Sequence, residues 1–94
     1  MEGNITFERV KQFYGVLIPI RIYLDGKDVG TVGAGEKIEA KTAIGKHRIA
    51  FDLWSGNGQY DVEVTEEHPN IKVEFKIGMG IITSKPKIVK ISNL

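Results

Sequence analysis

The architecture of this chain is first signalled by the stretch Ile20-Arg21-Ile22-Tyr23-Leu24-Asp25-Gly26-Lys27-Asp28-Val29-Gly30. Apolar side chains alternate here with Arg21 and Tyr23, and Asp25-Gly26 then reverses the chain. Strict alternation of apolar and polar residues, closed by Asp-Gly, is the strongest short-range signal for a β-hairpin. The stretch therefore predicts an antiparallel β protein.

Turn residues recur at short intervals along the rest of the chain, and no segment shows a sustained helical period. Breaks are predicted at Gly15, Gly33-Ala34-Gly35, Ile44-Gly45-Lys46, Ser55-Gly56-Asn57-Gly58, His68-Pro69-Asn70 and Gly78-Met79-Gly80. This spacing favours an all-β sandwich of about seven or eight antiparallel strands with no substantial helix. A length of 94 residues predicts one domain over residues 1–94.

The first two strands follow from the parity of the apolar residues. A strand is predicted over residues 5–14, with a β-bulge near Glu8-Arg9 because Val10 has the opposite parity to Ile5 and Phe7. A second strand is predicted over residues 17–24. Pro19 cannot donate to a ladder, which predicts that this strand lies at a sheet edge, at least at its start.

Further strands are predicted over residues 29–32, 37–42, 47–53, 60–64 and 71–77. The last two are expected to pair as a hairpin, with acids on one strand facing lysines on the other. The tail, 81–91, is predicted to be one more strand, interrupted near Pro86. It is the most basic part of the chain, with Lys85, Lys87 and Lys90.

Signals of catalysis are lacking in the sequence. The chain has no cysteine, which excludes disulfides and thiol nucleophiles, and no serine lies in a Gly-x-Ser-x-Gly elbow. His47 lies in phase with a core strand and is predicted to be a structural residue rather than a base or ligand. His68 is predicted to lie in a solvated loop. The sequence therefore predicts a protein that is not an enzyme and that needs neither cofactor nor metal.

Trp54 is the best candidate for a binding residue. It ends the predicted core strand beside a glycine-rich loop, where it could stack on a sugar ring, a base or an apolar group of a partner. The alternative is that Trp54 caps the sandwich or packs on the second face of its sheet. With Asn57 and Tyr60 it forms a candidate carbohydrate-binding surface, and Tyr23 has a similar outward parity.

Charge and hydropathy narrow the range of partners. A formal net charge of +1 with interspersed acids argues against a nucleic-acid partner. No signal peptide is evident, and the longest apolar run, 16–20, is far shorter than the roughly 20 residues of a membrane helix. A cytoplasmic protein without membrane insertion is the expectation.

The order of the turns resembles a known group of domains. Tyr-Leu-Asp-Gly-Lys-Asp-Val-Gly (23–30), then Gly33-Ala34-Gly35-Glu36 and Ile44-Gly45-Lys46-His47-Arg48-Ile49, is similar to PEGA-type and carboxypeptidase-regulatory-like β-sandwich modules. Leu53-Trp54-Ser55 adds a resemblance to small uncharacterised domains of Gram-positive bacteria. The resemblance covers residues 5–77 and leaves the basic strand of 78–94 outside it; Ile44 stands where a proline is common.

The resemblance implies an immunoglobulin- or PEGA-like sandwich without catalytic residues, which often accompanies membrane or envelope proteins as a spacer or a ligand-presenting domain. The function expected is therefore a protein-interaction or structural module. It would act on a protein partner or through self-association, with an exposed strand edge as one docking surface. The alternative is a carbohydrate-binding module that uses the Trp54 loop.

Overall fold

The computed structural model of the protein describes residues 2–10, 19–33, 35–53, 56–78 and 85–94. Within these ranges lie eight strands: β1 (Glu2–Arg9), β2 (Ile20–Leu24), β3 (Lys27–Val32), β4 (Lys37–Ala43), β5 (Gly45–Leu53), β6 (Gly56–Val64), β7 (Asn70–Gly78) and β8 (Lys85–Asn93). They form two four-stranded sheets, ordered β4-β1-β7-β8 and β3-β2-β5-β6. The predicted all-β, sandwich-like architecture is confirmed, and no helix occurs in the ranges above.

The Asp25-Gly26 hairpin forms as predicted. Leu24 pairs with Lys27, and the two residues between them have positive φ angles of 51° and 84°. Two consecutive positive φ values define a type I′ turn, whose twist matches that of the flanking strands. The turn places the Asp25 carboxyl at one end of the sandwich.

β2 is an interior strand, so the predicted edge position is wrong for residues 20–24. It pairs with β3 on one side and β5 on the other. Pro19 directly precedes the first residue of β2, where its missing N–H interrupts no ladder. Residues 17 and 18, which were also predicted in this strand, lie outside the described ranges.

β6 and β7 do not form the predicted hairpin. β6 pairs with β5 in one sheet, whereas β7 lies between β1 and β8 in the other. Residues 65–69 carry the chain from one sheet to the other. The Lys72 ammonium accordingly contacts Glu8 at 3.3 Å and Glu74 at 3.4 Å rather than acids of β6.

The pairing is also not wholly antiparallel. β1 runs parallel to β7, from Asn4 opposite Asn70 to Arg9 opposite Phe75. The other paired strands are antiparallel. Local turn signals report the direction of consecutive strands only, so they could not reveal this contact between distant ones.

The predicted bulge near Glu8-Arg9 is wrong. β1 keeps a continuous register with β4 and β7 to its end, and Arg9 continues the inward alternation of Ile5 and Phe7. Arg9 is fully buried, and Val10 follows the strand with its side chain half-buried. An expectation that arginine faces solvent shifts the predicted inward and outward positions at Arg9, and so predicts a bulge where the strand is regular. Residues 11–14 of the predicted strand lie outside the described ranges.

One apolar core fills the space between the sheets. At its centre the Phe51 ring contacts Phe75, Tyr60 and Phe7, with centroid distances of 4.5, 5.9 and 6.5 Å. Such ring pairs contribute about 0.5–1.5 kcal/mol each beyond the area they bury. The buried apolar residues are Ile5, Phe7, Ile20, Ile22, Leu24, Val32, Ile49, Phe51, Val62, Val64, Ile71, Val73 and Phe75.

β8 extends through Pro86 without the predicted interruption there. Its register with β7 shifts instead around Val89, between Lys90 opposite Glu74 and Ile88 opposite Phe75. β8 is an edge strand of its sheet and β6 is an edge strand of the other, and the two strands contact each other. They therefore lie on the same side of the sandwich.

Candidate functional site

A titratable pair lies at the end of the sandwich where the β2–β3 turn meets the start of β5. The Asp25 backbone N–H donates to the Arg48 carbonyl at 2.8 Å, and Asp25 Oδ1 accepts from the Arg48 N–H at 2.9 Å. These two bonds fix the turn against β5. They also aim the second carboxylate oxygen at the ring of His47.

His47 is held by oxygen atoms on both sides of its ring. Nδ1 lies 2.5 Å from Asp25 Oδ2, and Nε2 lies 2.7 Å from the Ala43 carbonyl oxygen. A carboxylate and a carbonyl can only accept, so both bonds form at once only when both ring nitrogens carry a proton. The side chain, 9% exposed, is therefore best satisfied as an imidazolium.

The electrostatics of the pair agree with this protonation state. Burial lowers the pKa of His47, but the hydrogen bonds to Asp25 and Ala43 and the charge of Asp25 outweigh it, so the pKa lies above its ordinary value. The pKa of Asp25 is lowered, first by the hydrogen bond from the Arg48 N–H and then by that from His47. Each partner favours the charged form of the other.

The array superficially resembles a nucleophilic triad, since the Thr42 hydroxyl lies 3.1 Å from His47 Nε2. A general base needs an unprotonated nitrogen facing the nucleophile. Nε2 lies closer to the Ala43 carbonyl oxygen, at 2.7 Å, and donates a hydrogen bond to it. A protonated Nε2 has no lone pair with which to accept the proton of the Thr42 hydroxyl. The geometry suits a structural clamp between β4, β5 and the turn.

An open depression of about 550 Å³ lies beside the clamp. Arg48 Nε and Asp61 Oδ1 form an exposed ion pair at 3.0 Å on its wall. Within the described parts of the chain no cluster of three or more histidine, cysteine or acidic side chains is arranged to hold a metal. The lining residues are Asp25, Lys46, His47, Arg48, Asp61, Val62 and Glu63.

The predicted binding residues do not converge on one face. Tyr60 faces inward and packs against Phe51, whereas Tyr23 and Asn57 lie opposite Ala50 and Asp52 on the outer face of the same sheet. Tyr23 is half-buried and Asn57 is exposed. Trp54 lies outside the described residues, so carbohydrate binding stays a prediction.

A second candidate surface is the side of the sandwich formed by the edge strands β6 and β8, here called the open side. The large exposed hydrophobic side chains of the described residues all lie on or directly after β8: Val89 is 50% exposed, Ile91 47% and Leu94 66%. Single exposed apolar residues are common, but a cluster on an unpaired strand edge is typical of an interaction surface.

Sequence reasoning missed two features of these surfaces. It assigned a structural role to His47, which the geometry supports, but it did not identify Asp25 as the partner. It noted the lysines of the tail but not the apolar residues between them. The apolar residues Ile88, Val89 and Ile91 between the lysines could have indicated an interaction surface. Only the strand order shows that they lie at a sheet edge.

Comparisons with protein-family models, with curated proteins and with solved structures find no match to this chain. Across the described ranges, no helix of a length and apolar character suited to crossing a membrane is found.

Proposed function

We propose that this protein is a non-catalytic interaction or structural module, a sandwich of the immunoglobulin-like or PEGA-like type that binds another polypeptide along its open side. The observation that carries the proposal is that, among the residues the structure describes, the large exposed hydrophobic side chains lie on β8 or directly after it. An edge strand offers unpaired backbone groups, and neighbouring apolar side chains add the contact area that strand addition requires.

Two further observations support a role without catalysis. Both nitrogens of His47 bind oxygen acceptors within the protein, and the depression beside it is lined by both acidic and basic side chains. The resemblance to PEGA-type modules favours an association with envelope proteins. No observation on the described residues favours carbohydrate binding over this function.

The test is a crosslinking pull-down from the source cell with three baits: wild type, Ile91→Lys and Thr31→Lys. Ile91 lies on the open side, whereas Thr31 is an exposed residue of β3 at the opposite side of the sandwich. Both variants add one lysine to an edge strand, so they match in charge. We expect wild type to capture a specific polypeptide, which can be a second copy of this chain. That polypeptide should be lost with Ile91→Lys and retained with Thr31→Lys.

Equal recovery with all three baits, or no specific polypeptide with any of them, would show that the open side is not a binding surface. Circular dichroism of the three proteins excludes unfolding as the cause of a loss.

A further inference from the structure

The two edge strands of the open side carry opposite charges. β8 contains Lys85, Lys87 and Lys90 and no acid, whereas β6 contains Asp61 and Glu63 and no base. Lys90 and both acids are exposed, although Asp61 is also bound by Arg48 of β5 at 3.0 Å. Like charges on adjacent strands destabilise a sheet and opposite charges stabilise it. A second β8 is therefore repelled by β8, a second β6 by β6, and each edge attracts the other.

Both edges lie on the same side of one molecule, which allows a symmetric arrangement. A two-fold axis along that side places β8 of one copy beside β6 of its partner and, by the same rotation, β6 of the first beside β8 of the second. We propose that a second copy of this chain docks on the open side in this way, so that two continuous eight-stranded sheets form. The inference rests on the proposed function and names the partner.

The apolar residues of β8 fit this arrangement. Ile91 lies opposite the buried Val73, so its side chain is on the inner face of the sheet, yet at the edge strand it is 47% exposed. The inward-facing residues of β6 include Tyr60 and Val62. A neighbouring β6 would set these beside Ile91, which extends each apolar core into that of the partner.

The irregularities of β8 limit which part of it can pair. Pro86 lacks an N–H, and the register of β8 shifts at Val89; proline and bulges are both features that protect edges against unspecific strand addition. Regular pairing is left to residues 90–93. A ladder this short binds well only when the side chains of the added strand also fit, and Lys90 favours an acid beside it on the outer face. This requirement selects β6 over other strands.

Disulfide trapping tests the geometry directly, because the natural chain has no cysteine. Ser92 and Asp61 both lie on outer faces, on β8 and β6 respectively. Under mild oxidation, a mixture of Ser92→Cys and Asp61→Cys proteins should give the mixed disulfide dimer, in excess of either homodimer. Thr31→Cys mixed with either protein serves as the control for random collision.

Charge exchange provides the second test. The variant Asp61→Lys/Glu63→Lys has two basic edges, and the variant Lys90→Glu/Ser92→Glu carries acids at both outer-face positions of the pairing segment 90–93. Each alone should lose the dimer seen for wild type in analytical ultracentrifugation, by about tenfold or more in affinity. An equimolar mixture should restore it, which also shows that both variants are folded. Added salt should weaken the wild-type dimer.

The outcomes separate this inference from the proposed function. Homodimers of Ser92→Cys in excess of the mixed species would show that β8 pairs with β8 and overturn the inference. A wild-type protein that stays monomeric with rising concentration would overturn it as well. If such a monomer still captures another polypeptide in an Ile91-dependent way, the interaction function stands with a different partner.

Discussion

The two ends of the sandwich are each closed by a basic side chain bound to a backbone carbonyl, but the two side chains differ in chemistry. Arg9, at the last residue of β1, spans the core and donates from Nη1 to the Val32 carbonyl of the opposite sheet at 3.0 Å. His47, at the other end, bridges Asp25 and the Ala43 carbonyl. The Arg9 side chain is permanently charged, whereas the charge of His47 depends on pH.

Arg9 also fixes the connection between the sheets through its backbone. Its N–H donates to the Glu36 carbonyl at 2.9 Å, and its carbonyl accepts from the Gly35 N–H at 3.1 Å. Burial lowers the pKa of the guanidinium, and the charge of Glu36 partly offsets this, yet arginine stays charged under all ordinary conditions. The buried Arg9 therefore stabilises its end of the sandwich at any ordinary pH, whereas the contribution of His47 at the other end depends on pH.

The largest effect is expected from the loss of Arg9. Arg9→Ala removes the largest fully buried side chain among the described residues and leaves the Val32 carbonyl without this donor, so the free energy of unfolding should fall by about 3–5 kcal/mol in urea titration. Arg21→Ala is the matched control, because Arg21 pairs with Asp28 at the surface and should change little. Equal losses in the two variants would contradict a fastening role for Arg9.

A smaller effect is expected from Gly3→Ala at the His47 end. Gly3 pairs with Thr42, and a Cβ there would collide with the Pro69 carbonyl oxygen and a Val64 methyl group. The backbone must shift, which should cost about 1–3 kcal/mol in thermal or urea unfolding. Glu2→Ala, at the neighbouring exposed position, should be close to neutral. A stabilised Gly3→Ala protein would show that this end is loosely packed.

The smallest effect is the pH dependence that distinguishes the two ends. The pKa of His47 is raised on folding, so its stabilisation is complete below the ordinary value of 6.5 and is lost as the pH rises through the folded pKa. The pKa of Asp25 is lowered, so its stabilisation is present above 3.8 and is lost as the pH falls through the folded pKa. The pair therefore stabilises most between these two values.

Asp25→Asn isolates that contribution. Asparagine keeps an Oδ1 acceptor for the Arg48 N–H and tolerates the positive φ, but it has no charge for His47. Urea unfolding at about pH 5 and about pH 8 should show a fall in stability for wild type and a flatter profile for the variant. His68→Gln, which removes an exposed loop histidine, should keep the wild-type profile. An unchanged profile in Asp25→Asn would exclude the clamp as its source.

Much of the secondary structure could be predicted from local patterns. The hairpin at Asp25-Gly26 and the core strand of Ile49 and Phe51 follow from alternation and turn residues, which act within a few positions of each other. The strand pairing could not be predicted in the same way. β6 and β7 have matching patterns, yet they lie in different sheets, and a five-residue connection allows either arrangement.

The candidate site was predicted in part. The structural role of His47 follows from its parity with core residues, but its partner Asp25 is 22 residues away, and Arg9 lies 23 residues from the carbonyl it binds. Tyr60 was placed in a binding surface, whereas the strand register turns it toward Phe51. Each difference arises where a side chain meets a segment that is distant in sequence.

The sequence by itself determined that this chain is an all-β protein with short strands, because alternation and turn conformations are local properties of the backbone and its immediate side chains. Only the tertiary structure decided which strands share a sheet, which edges stay open and which polar groups are buried. Those outcomes depend on how two apolar faces pack. Packing brings the Arg9 guanidinium to the Val32 carbonyl and the Asp25 carboxylate to the His47 ring. It also sets β6 beside β8, two edge strands of opposite charge.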